Sequence, residues 1–380
     1  MSARARDEAL MRRALALAGR GDFRVGRNPR VGAVVARGDE VLAEGYHAVS
    51  GGPHAEAAAF AALDAAGEDA RGATLYVTLE PCGDFPGKRT PACVEALLAR
   101  GLARVVVATG DPSHGGAPLA RLRAAGVEVE TGLCGAEARR LNGPFLKACA
   151  GSGLPYLTAK WAMSLDGKIA CRTGHSRWIS GEAARLEVHR LRGEVDAVLV
   201  GVGTALADDP ALTRRGVEGG DPLRVVLDAR ARLPLDGQLA RTARETPLLV
   251  AVTAAAPAER RAALAERGAE VLVLPTREGT VDAAALLREL GARGQRHVLV
   301  EGGGGLLASL FAQDLVDRVQ VYIAPRILGG REAPGPVGGE GAATVPEGPA
   351  LESLVARAVG EDVLLEGHLR VHGEVTPSPP

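Results

Sequence analysis

Apolar positions along this chain recur with two periods, near 3.6 and near 2, and the switches between them mark out its elements. Over residues 7–19, Leu10, Met11, Ala14, Leu15, Leu17 and Ala18 keep helical spacing and a Gly ends the run. Apolar runs over 31–35 and 41–46 flank Gly38-Asp39, a hairpin signal. Residues 54–66 are Ala-rich and uninterrupted, which predicts a helix. A strand over 74–79 and a helix over 91–100 follow, the helix with Pro91 in its first turn. Strands over 103–108 and 127–130 bracket a short helix at 118–125. Residues 137–150 predict a helix broken near Gly143-Pro144.

Gly151-Ser152-Gly153-Leu154-Pro155 interrupts the pattern as a linker would. Beyond it, strands are predicted over 156–161, 197–200, 223–227, 248–252, 270–274, 297–300 and 319–323. Helices at 181–192, 257–267, 282–293 and 306–315 lie between several of them. Alternation of this kind calls for a largely parallel sheet covered by helices. Residues 334–348 are rich in Gly and Pro and read as a surface loop, and 376–380 as a disordered tail. At 380 residues the chain is too long for one typical core. Two domains are therefore expected, 1–150 and 155–372.

Composition narrows the classes. Apolar content is ordinary and the formal net charge is −1, which excludes broad disorder and argues against a binder that neutralises a long phosphate backbone. No apolar run is long enough to span a bilayer, and no signal peptide opens the chain. Five Cys are too few, and odd in number, for a secreted disulfide framework. A reducing, cytoplasmic setting is expected.

The strongest chemical signal is His54-Ala55-Glu56, followed by Pro81-Cys82 and by Cys93. One His and two Cys are three ligands suited to zinc, leaving a fourth position open, as in catalytic rather than structural sites. Zinc lowers the pKa of bound water to about 7, and Glu56 is close enough in sequence to carry protons without ligating. Zinc deaminases of nucleobases show this H-x-E…P-C order, with a second Cys after only two residues; here ten residues intervene. The predicted elements accommodate the gap. His54 and Glu56 fall in the first turn of one helix, Cys82 follows a strand and Cys93 opens the next helix. The gap is then a loop, and two positive helix ends meet.

These residues, with Asn28-Pro29-Arg30-Val31-Gly32-Ala33-Val34, Gly45-Tyr46-His47, Tyr76-Val77-Thr78-Leu79-Glu80-Pro81-Cys82 and Thr90-Pro91-Ala92-Cys93, resemble the deaminase half of the RibD family of bifunctional riboflavin biosynthesis enzymes. In that family the two Cys are normally eight residues apart. The resemblance implies a cytidine-deaminase-like α/β/α domain in which His54, Cys82 and Cys93 bind zinc and Glu56 shuttles protons. It also implies that Asn28, His47 and Asp111 contact substrate. The family loop usually reads Cys-Ser-His-His/Tyr-Gly-Arg/Lys-Thr-Pro-Pro-Cys. Here the stretch from Cys82 to Cys93 is two residues longer and lacks the His; Lys88 or Arg89 could take the basic position, and Arg89, next to Thr90, is the choice. The family's Asp-Pro-Asn-Pro…Ala-Gly-Arg-Gly stretch is here Asp111-Pro112-Ser113-His114-Gly115-Gly116-Ala117-Pro118.

In the second half, Glu301-Gly302-Gly303-Gly304-Gly305 joins a predicted strand to a helix start, where Gly lets backbone N–H groups approach a phosphate. Lys160 to Ile169 and Gly201 to Thr213 also follow strands, and sites in open α/β sheets lie beyond the carboxyl ends of strands. Arg192 and Arg215 can clamp a phosphate. Trp178 can stack on a ring. Ser164-Leu165-Asp166-Gly167-Lys168-Ile169-Ala170, Ser176-Arg177-Trp178-Ile179-Ser180, Leu199-Val200-Gly201-Val202-Gly203-Thr204 and Ala207-Asp208-Asp209-Pro210-Ala211-Leu212-Thr213, with Val300-Glu301-Gly302-Gly303, resemble the reductase half of the same family. That resemblance implies a dihydrofolate-reductase-like α/β domain using NADPH. Ala162, Trp178, Thr204, Asp208 and the run Gly303, Gly304, Gly305, Leu306, Leu307, Ala308 and Ser309 would line the cofactor. Ser176, Arg192, Leu212, Arg215 and Glu301 would hold the phosphoribosyl substrate. Lys160 and Asp208 would stand near the chemistry, with roles left open.

The expectation is thus a cytoplasmic homo-oligomer with zinc and NADPH, acting on small phosphoribosyl pyrimidines and on neither nucleic acid nor membrane. Two rivals remain: a deaminase half with a changed substrate, and a non-catalytic zinc scaffold for a working reductase.

Overall fold

The computed structural model describes residues 2–84 and 91–369; Arg89 and the tail at 376–380 lie outside the described residues. Contacts divide the described chain into two compact units, residues 2–152 and 153–369.

In the first unit five strands are β1 (Gly32–Arg37), β2 (Glu40–Tyr46), β3 (Thr74–Val77), β4 (Arg104–Val107) and β5 (Glu128–Thr131), in the order β2-β1-β3-β4-β5. β1 is antiparallel to β2 and β3, while β3, β4 and β5 run parallel. Six helices accompany them: α1 (Ala3–Ala18), α2 (Ala55–Ala65), α3 (Cys93–Ala99), α4 (Ala117–Ala124), α5 (Gly135–Leu141) and α6 (Gly143–Cys149). Alternation along the strands separates two cores. Ala33, Val35, Leu75, Val77, Val105 and Val107 pack with Phe60, Leu63, Leu97 and Leu122 from α2, α3 and α4. Val34, Tyr76 and Val106 pack on the other face with Met11, Ala14, Leu17 and Ala138 from α1 and α5. The sheet is thus sandwiched between helices.

Two glycines permit this close packing. A Cβ on Gly32 would lie 2.0 Å from the Ala14 carbonyl oxygen of α1. A Cβ on Gly45 would lie 2.3 Å from the Ala59 nitrogen and 2.4 Å from the Ala55 oxygen, inside the first turns of α2. The second contact sets where α2 begins relative to the sheet.

In the second unit nine strands form one sheet: β6 (Tyr156–Ser164), β7 (Ala197–Gly201), β8 (Leu223–Leu227), β9 (Leu248–Val252), β10 (Glu270–Val273), β13 (His297–Glu301), β14 (Arg318–Ala324), β15 (Ser353–Val359) and β16 (Asp362–His368). A small hairpin, β11 (Thr276–Arg277) and β12 (Thr280–Val281), stands apart from it. The order is β10-β9-β8-β7-β13-β6-β14-β16-β15. β10 through β14 in that order are mutually parallel, and β16 and β15 close the edge antiparallel. Helices α7 (Glu182–Glu194), α8 (Val202–Asp208), α9 (Gln238–Arg241), α10 (Ala258–Glu266), α11 (Ala283–Ala292) and α12 (Gly304–Ala312) complete it. α11 and α12 pack against one face of the sheet, and α7 to α10 supply the core of the other.

Several elements depart from the expected pattern. α8, α9 and the β11–β12 hairpin fall where no element was predicted, and α12 begins at Gly304, earlier than residue 306. The β15–β16 hairpin was not expected, because β15 is exposed along most of its length and shows little apolar alternation. The parallel order has one consequence for function. β13 lies between β6 and β7, so consecutive strands leave in opposite directions from it and a crevice opens at their carboxyl ends.

Candidate active sites

The first site forms where two helices start. His54 is the N-cap of α2 rather than a residue of its first turn, as expected from the sequence; its extended backbone turns the ring out, and it makes no side-chain cap. Glu56 stands in that first turn, and Cys93 is the first residue of α3. The His54 Nδ1 atom lies 3.4 Å from Cys82 Sγ and 3.3 Å from Cys93 Sγ. All three donor atoms lie within 4.8 Å of one another, and among the described residues no fourth His, Cys, Asp or Glu joins them. Zinc bonds of about 2.0 Å to N and 2.3 Å to S at tetrahedral angles need N···S separations of about 3.5 Å. The donor set therefore fits zinc with one position open. The Cys93 N–H also donates to Cys82 Sγ at 3.4 Å, which ties the two sulfur-bearing segments together.

Glu56 is 3 % exposed, and burial holds its carboxyl above the usual range. His47 Nδ1 sits 2.9 Å from the Pro53 carbonyl and its Nε2 3.3 Å from Asn28 Nδ2. These partners place the proton on Nδ1 and let Nε2 accept from Asn28. The amide of Asn28 also donates to Ser50 Oγ at 3.3 Å. The His47 ring stands edge-on to His54 with centroids 5.7 Å apart, so Asn28 and His47 border the group that could hold a metal.

Asp111 Oδ1 accepts from the Ser113 N–H at 2.9 Å and from its hydroxyl at 2.5 Å, and Oδ2 lies 3.7 Å from His114 Nε2. Two residues beyond the sequence candidates belong to this segment. Glu80 is buried, its carboxyl raised by that burial, and its Oε2 accepts the Asp111 N–H at 3.1 Å. Its place just before Pro81-Cys82 was the available signal. His114 is the other, visible in the sequence only as a departure from the family loop. Arg89 lies outside the described residues.

The second site follows from strand register. Glu301 pairs with Lys160 across β13 and β6, which puts both side chains on one face at the sheet's carboxyl edge. Arg192, from the last turn of α7, meets Glu301 in a forked pair at 2.5 and 3.0 Å, and Lys160 Nζ lies 3.5 Å from the same carboxylate. Burial alone would raise the Glu301 carboxyl; Arg192 and Lys160 outweigh it and bring it down to about 2. Burial, helped by the charge of Arg192, lowers the Lys160 ammonium against the pull of Glu301. Arg192 also donates to the Thr213 carbonyl at 2.8 Å, which secures the segment that carries Leu212 and Arg215.

A cleft of about 1180 Å³ opens here. Lys160, Ala162, Ser176, Trp178, Arg192, Thr204, Asp208, Leu212, Arg215 and Glu301 all line it, as do Gly303, Gly304, Gly305, Leu306, Leu307 and Ser309. Ala308 is the exception: it is not part of this lining, and its methyl lies within 3.1 Å of where a Cβ on Gly339 would stand. On a helix one residue in such a run must turn away. Gly303 adopts φ +88 as the N-cap of α12, and a Cβ there would meet Thr204 Oγ1 at 3.3 Å. This backbone cradle suits the phosphates of a dinucleotide, so NADPH fits the cleft. Ser176 donates to Asp208 at 3.4 Å, and Arg177 to the Asp208 carbonyl. Trp178 is 64 % exposed, with the Arg185 guanidinium 4.7 Å from its ring centroid, a contact the sequence did not reveal.

Comparison with known proteins bears on both units. Residues 4–109 match the family model for the cytidine and deoxycytidylate deaminase zinc-binding region, and 155–365 match that for the RibD C-terminal domain. The chain is 40 % identical over 358 residues to riboflavin biosynthesis protein RibD of Actinobacillus pleuropneumoniae, covering 94 % of this chain and 93 % of that one. It is 38 % identical over 386 residues to RibD of Escherichia coli K12, covering 94 % and 98 %. Among solved structures, a diaminohydroxyphosphoribosylaminopyrimidine deaminase/5-amino-6-(5-phosphoribosylamino)uracil reductase from Thermotoga maritima superposes with a TM-score of 0.77 at 32 % identity, covering 97 % of this chain and 99 % of that chain. Acinetobacter baumannii RibD gives a TM-score of 0.75 at 35 % identity, covering 96 % and 99 %.

Proposed function

The chain belongs to the RibD family of riboflavin biosynthesis proteins, and from that premise we propose which of its residues run the family's two reactions. It is a bifunctional enzyme, a zinc-dependent deaminase joined to an NADPH-dependent reductase. In our reading residues 1–150 hydrolyse the 2-amino group of 2,5-diamino-6-(ribosylamino)pyrimidin-4-one 5′-phosphate and release ammonia. Residues 155–372 reduce the ribosyl group of 5-amino-6-(5-phosphoribosylamino)uracil to ribityl.

In the deaminase His54, Cys82 and Cys93 hold zinc, which when bound supplies water that ionises near neutral pH. Glu56 accepts a proton and returns it to the leaving amine nitrogen. Asn28 and His47, locked to each other, present a fixed polar edge to the pyrimidine. Asp111, held by Ser113 and Glu80, and Arg89 contact the remainder of the substrate. The observation that carries this reading is the three-donor cluster beside a buried carboxylate.

In the reductase NADPH, when bound, supplies hydride. The turn at Gly303, with Ala162, Trp178, Thr204 and Asp208, would hold the cofactor. Ser176, Arg192, Leu212, Arg215 and Glu301 hold the phosphoribosyl group. The ring-opened imine takes hydride at C1′ and a proton at nitrogen. Lys160, buried next to Glu301 at the strand edge, is the group placed to give that proton.

A coupled assay tests both halves. With the diaminopyrimidine phosphate alone, ammonia is released; with NADPH added, one NADPH is oxidised for each ammonia. Failure to oxidise NADPH when deaminated product is supplied refutes the reductase assignment, and absence of ammonia refutes the other. We further propose a cytoplasmic homo-oligomer that acts on small molecules and on neither nucleic acid nor membrane. The net charge of −1 argues against a binder of long phosphate backbones, and no helix among the described residues is long and apolar enough to cross a membrane. Light scattering on the purified chain would show a monomer if the oligomer reading is wrong.

A further inference from the structure

One face of α7 forms a wall of the cleft in the second unit. Arg185, His189 and Arg192 stand at i, i+4 and i+7, a spacing that keeps side chains on one side of a helix, and all three line the cleft. The ends of this row are already engaged. Arg185 lies over the Trp178 ring and donates to the Ser180 carbonyl at 2.6 Å. Arg192 forks onto Glu301 and donates to the Thr213 carbonyl. His189, between them, differs: its Nδ1 is buried and has no hydrogen-bond partner among the described residues. A buried polar atom without a partner is uncommon in a folded protein and costly to keep.

We propose that His189 Nδ1 hydrogen-bonds a secondary hydroxyl of the substrate's ribosyl group, the 2′ or the 3′, and so sets the specificity of the reductase for a ribosyl sugar. This rests on the reductase reading above. Position along the helix supports it. At a rise of about 1.5 Å per residue, His189 lies about 6 Å from the level of Arg185 and about 4.5 Å from that of Arg192. It therefore stands between Trp178, assigned to the cofactor, and the Lys160–Glu301 pair, assigned to the end where the proton is given. The sugar carbon that takes hydride has to lie between those two, with its neighbouring hydroxyls alongside.

The surroundings favour a neutral imidazole. Burial lowers the His189 pKa and the charges of Arg192 and Arg215 add to that, against the Thr213 carbonyl and the Glu301 carboxylate, which pull the other way. A neutral imidazole offers one donor and one acceptor, and a hydroxyl both donates and accepts, so the two match in either tautomer. The substrate's phosphate has a stronger claimant in Arg215 of the same lining, whose guanidinium fork fits phosphate oxygens. A site built to hydrogen-bond a substrate hydroxyl rejects the analogue that lacks it, because its own buried polar atom is then left unpaired.

The test is steady-state reduction of 5-amino-6-(5-phosphoribosylamino)uracil and of its 2′-deoxy and 3′-deoxy analogues by the full chain. The unmodified chain should prefer the parent over one of the two analogues by about five- to hundredfold in kcat/KM, the range for a buried polar group left unpaired. His189→Leu should lower kcat/KM for the parent by a comparable factor and abolish that preference, with the KM for NADPH unchanged. His189→Asn, whose amide puts a polar atom near the place of Nδ1, should recover most of both. Arg190→Ala, on the same helix but exposed and outside the lining, should change nothing. A preference that survives in His189→Leu overturns the proposal, and so does a His189→Asn variant no better than His189→Leu. Equal turnover of the parent and both analogues by the unmodified chain overturns it as well. If the unmodified chain oxidises no NADPH with the parent, the reductase reading itself falls and takes this inference with it.

Discussion

Replacing Glu301 by Gln removes the carboxylate that Lys160 and Arg192 share. The three side chains are 9 %, 15 % and 13 % exposed, so neither cation can recover its interaction from water without rearrangement. At 3.5 Å from Lys160 and an effective dielectric of about 20, the gross attraction lost is about 5 kcal/mol. Breaking a buried pair by removing one partner typically costs about 3–5 kcal/mol net. An independent route starts from the carboxyl, which the cations bring from 4.5 to about 2. That difference corresponds to about 3 kcal/mol. Because the folded value is depressed, this stability is present in full above 4.5 and is lost as pH falls from there through about 2. Urea unfolding followed by tryptophan fluorescence isolates the effect, since the chain's two Trp, Trp161 and Trp178, both belong to the second unit. At pH 7 Glu301→Gln should lower the stability of that unit by about 3 kcal/mol, and the gap to the unmodified chain should shrink to roughly half by about pH 3.5. A gap below about 1 kcal/mol at pH 7, or one that does not narrow in acid, would refute the reasoning.

Three further outcomes are expected. Glu56→Gln should cut ammonia release by about 10²–10⁴-fold with zinc content unchanged, measured by coupled ammonia assay and elemental analysis; full retention of ammonia release excludes Glu56 as the proton shuttle. Gly45→Ala should force α2 off β2, costing the first unit at least about 1–3 kcal/mol and lowering zinc content, while NADPH oxidation with deaminated product is unaltered; normal zinc loading and thermal stability would contradict the close approach. Asp166 accepts from Ser164 Oγ at 2.6 Å, Leu328 N at 3.1 Å and Gly329 N at 2.7 Å, joining the end of β6 to the segment leading to Pro334 and Pro336 of the cleft. Asp166→Ala should raise the KM for NADPH several-fold and leave ammonia release unchanged; an unaltered KM would show that the tie does not shape the cleft.

Much of this protein was legible from local pattern. The unbroken apolar runs Val34-Val35 and Val105-Val106-Val107 assign strands buried on both sides, and the structure divides their residues between two cores because successive side chains leave a strand on opposite sides. His54, Glu56, Cys82 and Cys93 could be read as one site because each falls at an element end, where loop length can vary without moving the ligand. Elements with weak periodicity escaped. α8 is only seven residues long, and β15 is too exposed to show an apolar face.

The sequence by itself determined most of the elements and the grouping of His54, Cys82 and Cys93 that could hold a metal, since these depend on steric preference, periodicity and side-chain chemistry within short stretches. Tertiary structure alone decided that Lys160 and Glu301 are neighbours, because β13 enters the sheet between β6 and β7 and aligns their ends. It also turned Ala308 away from the cleft and brought His189 into its lining. Strand order is settled by the burial of the whole sheet against helices on two faces, a condition that no local window of sequence contains.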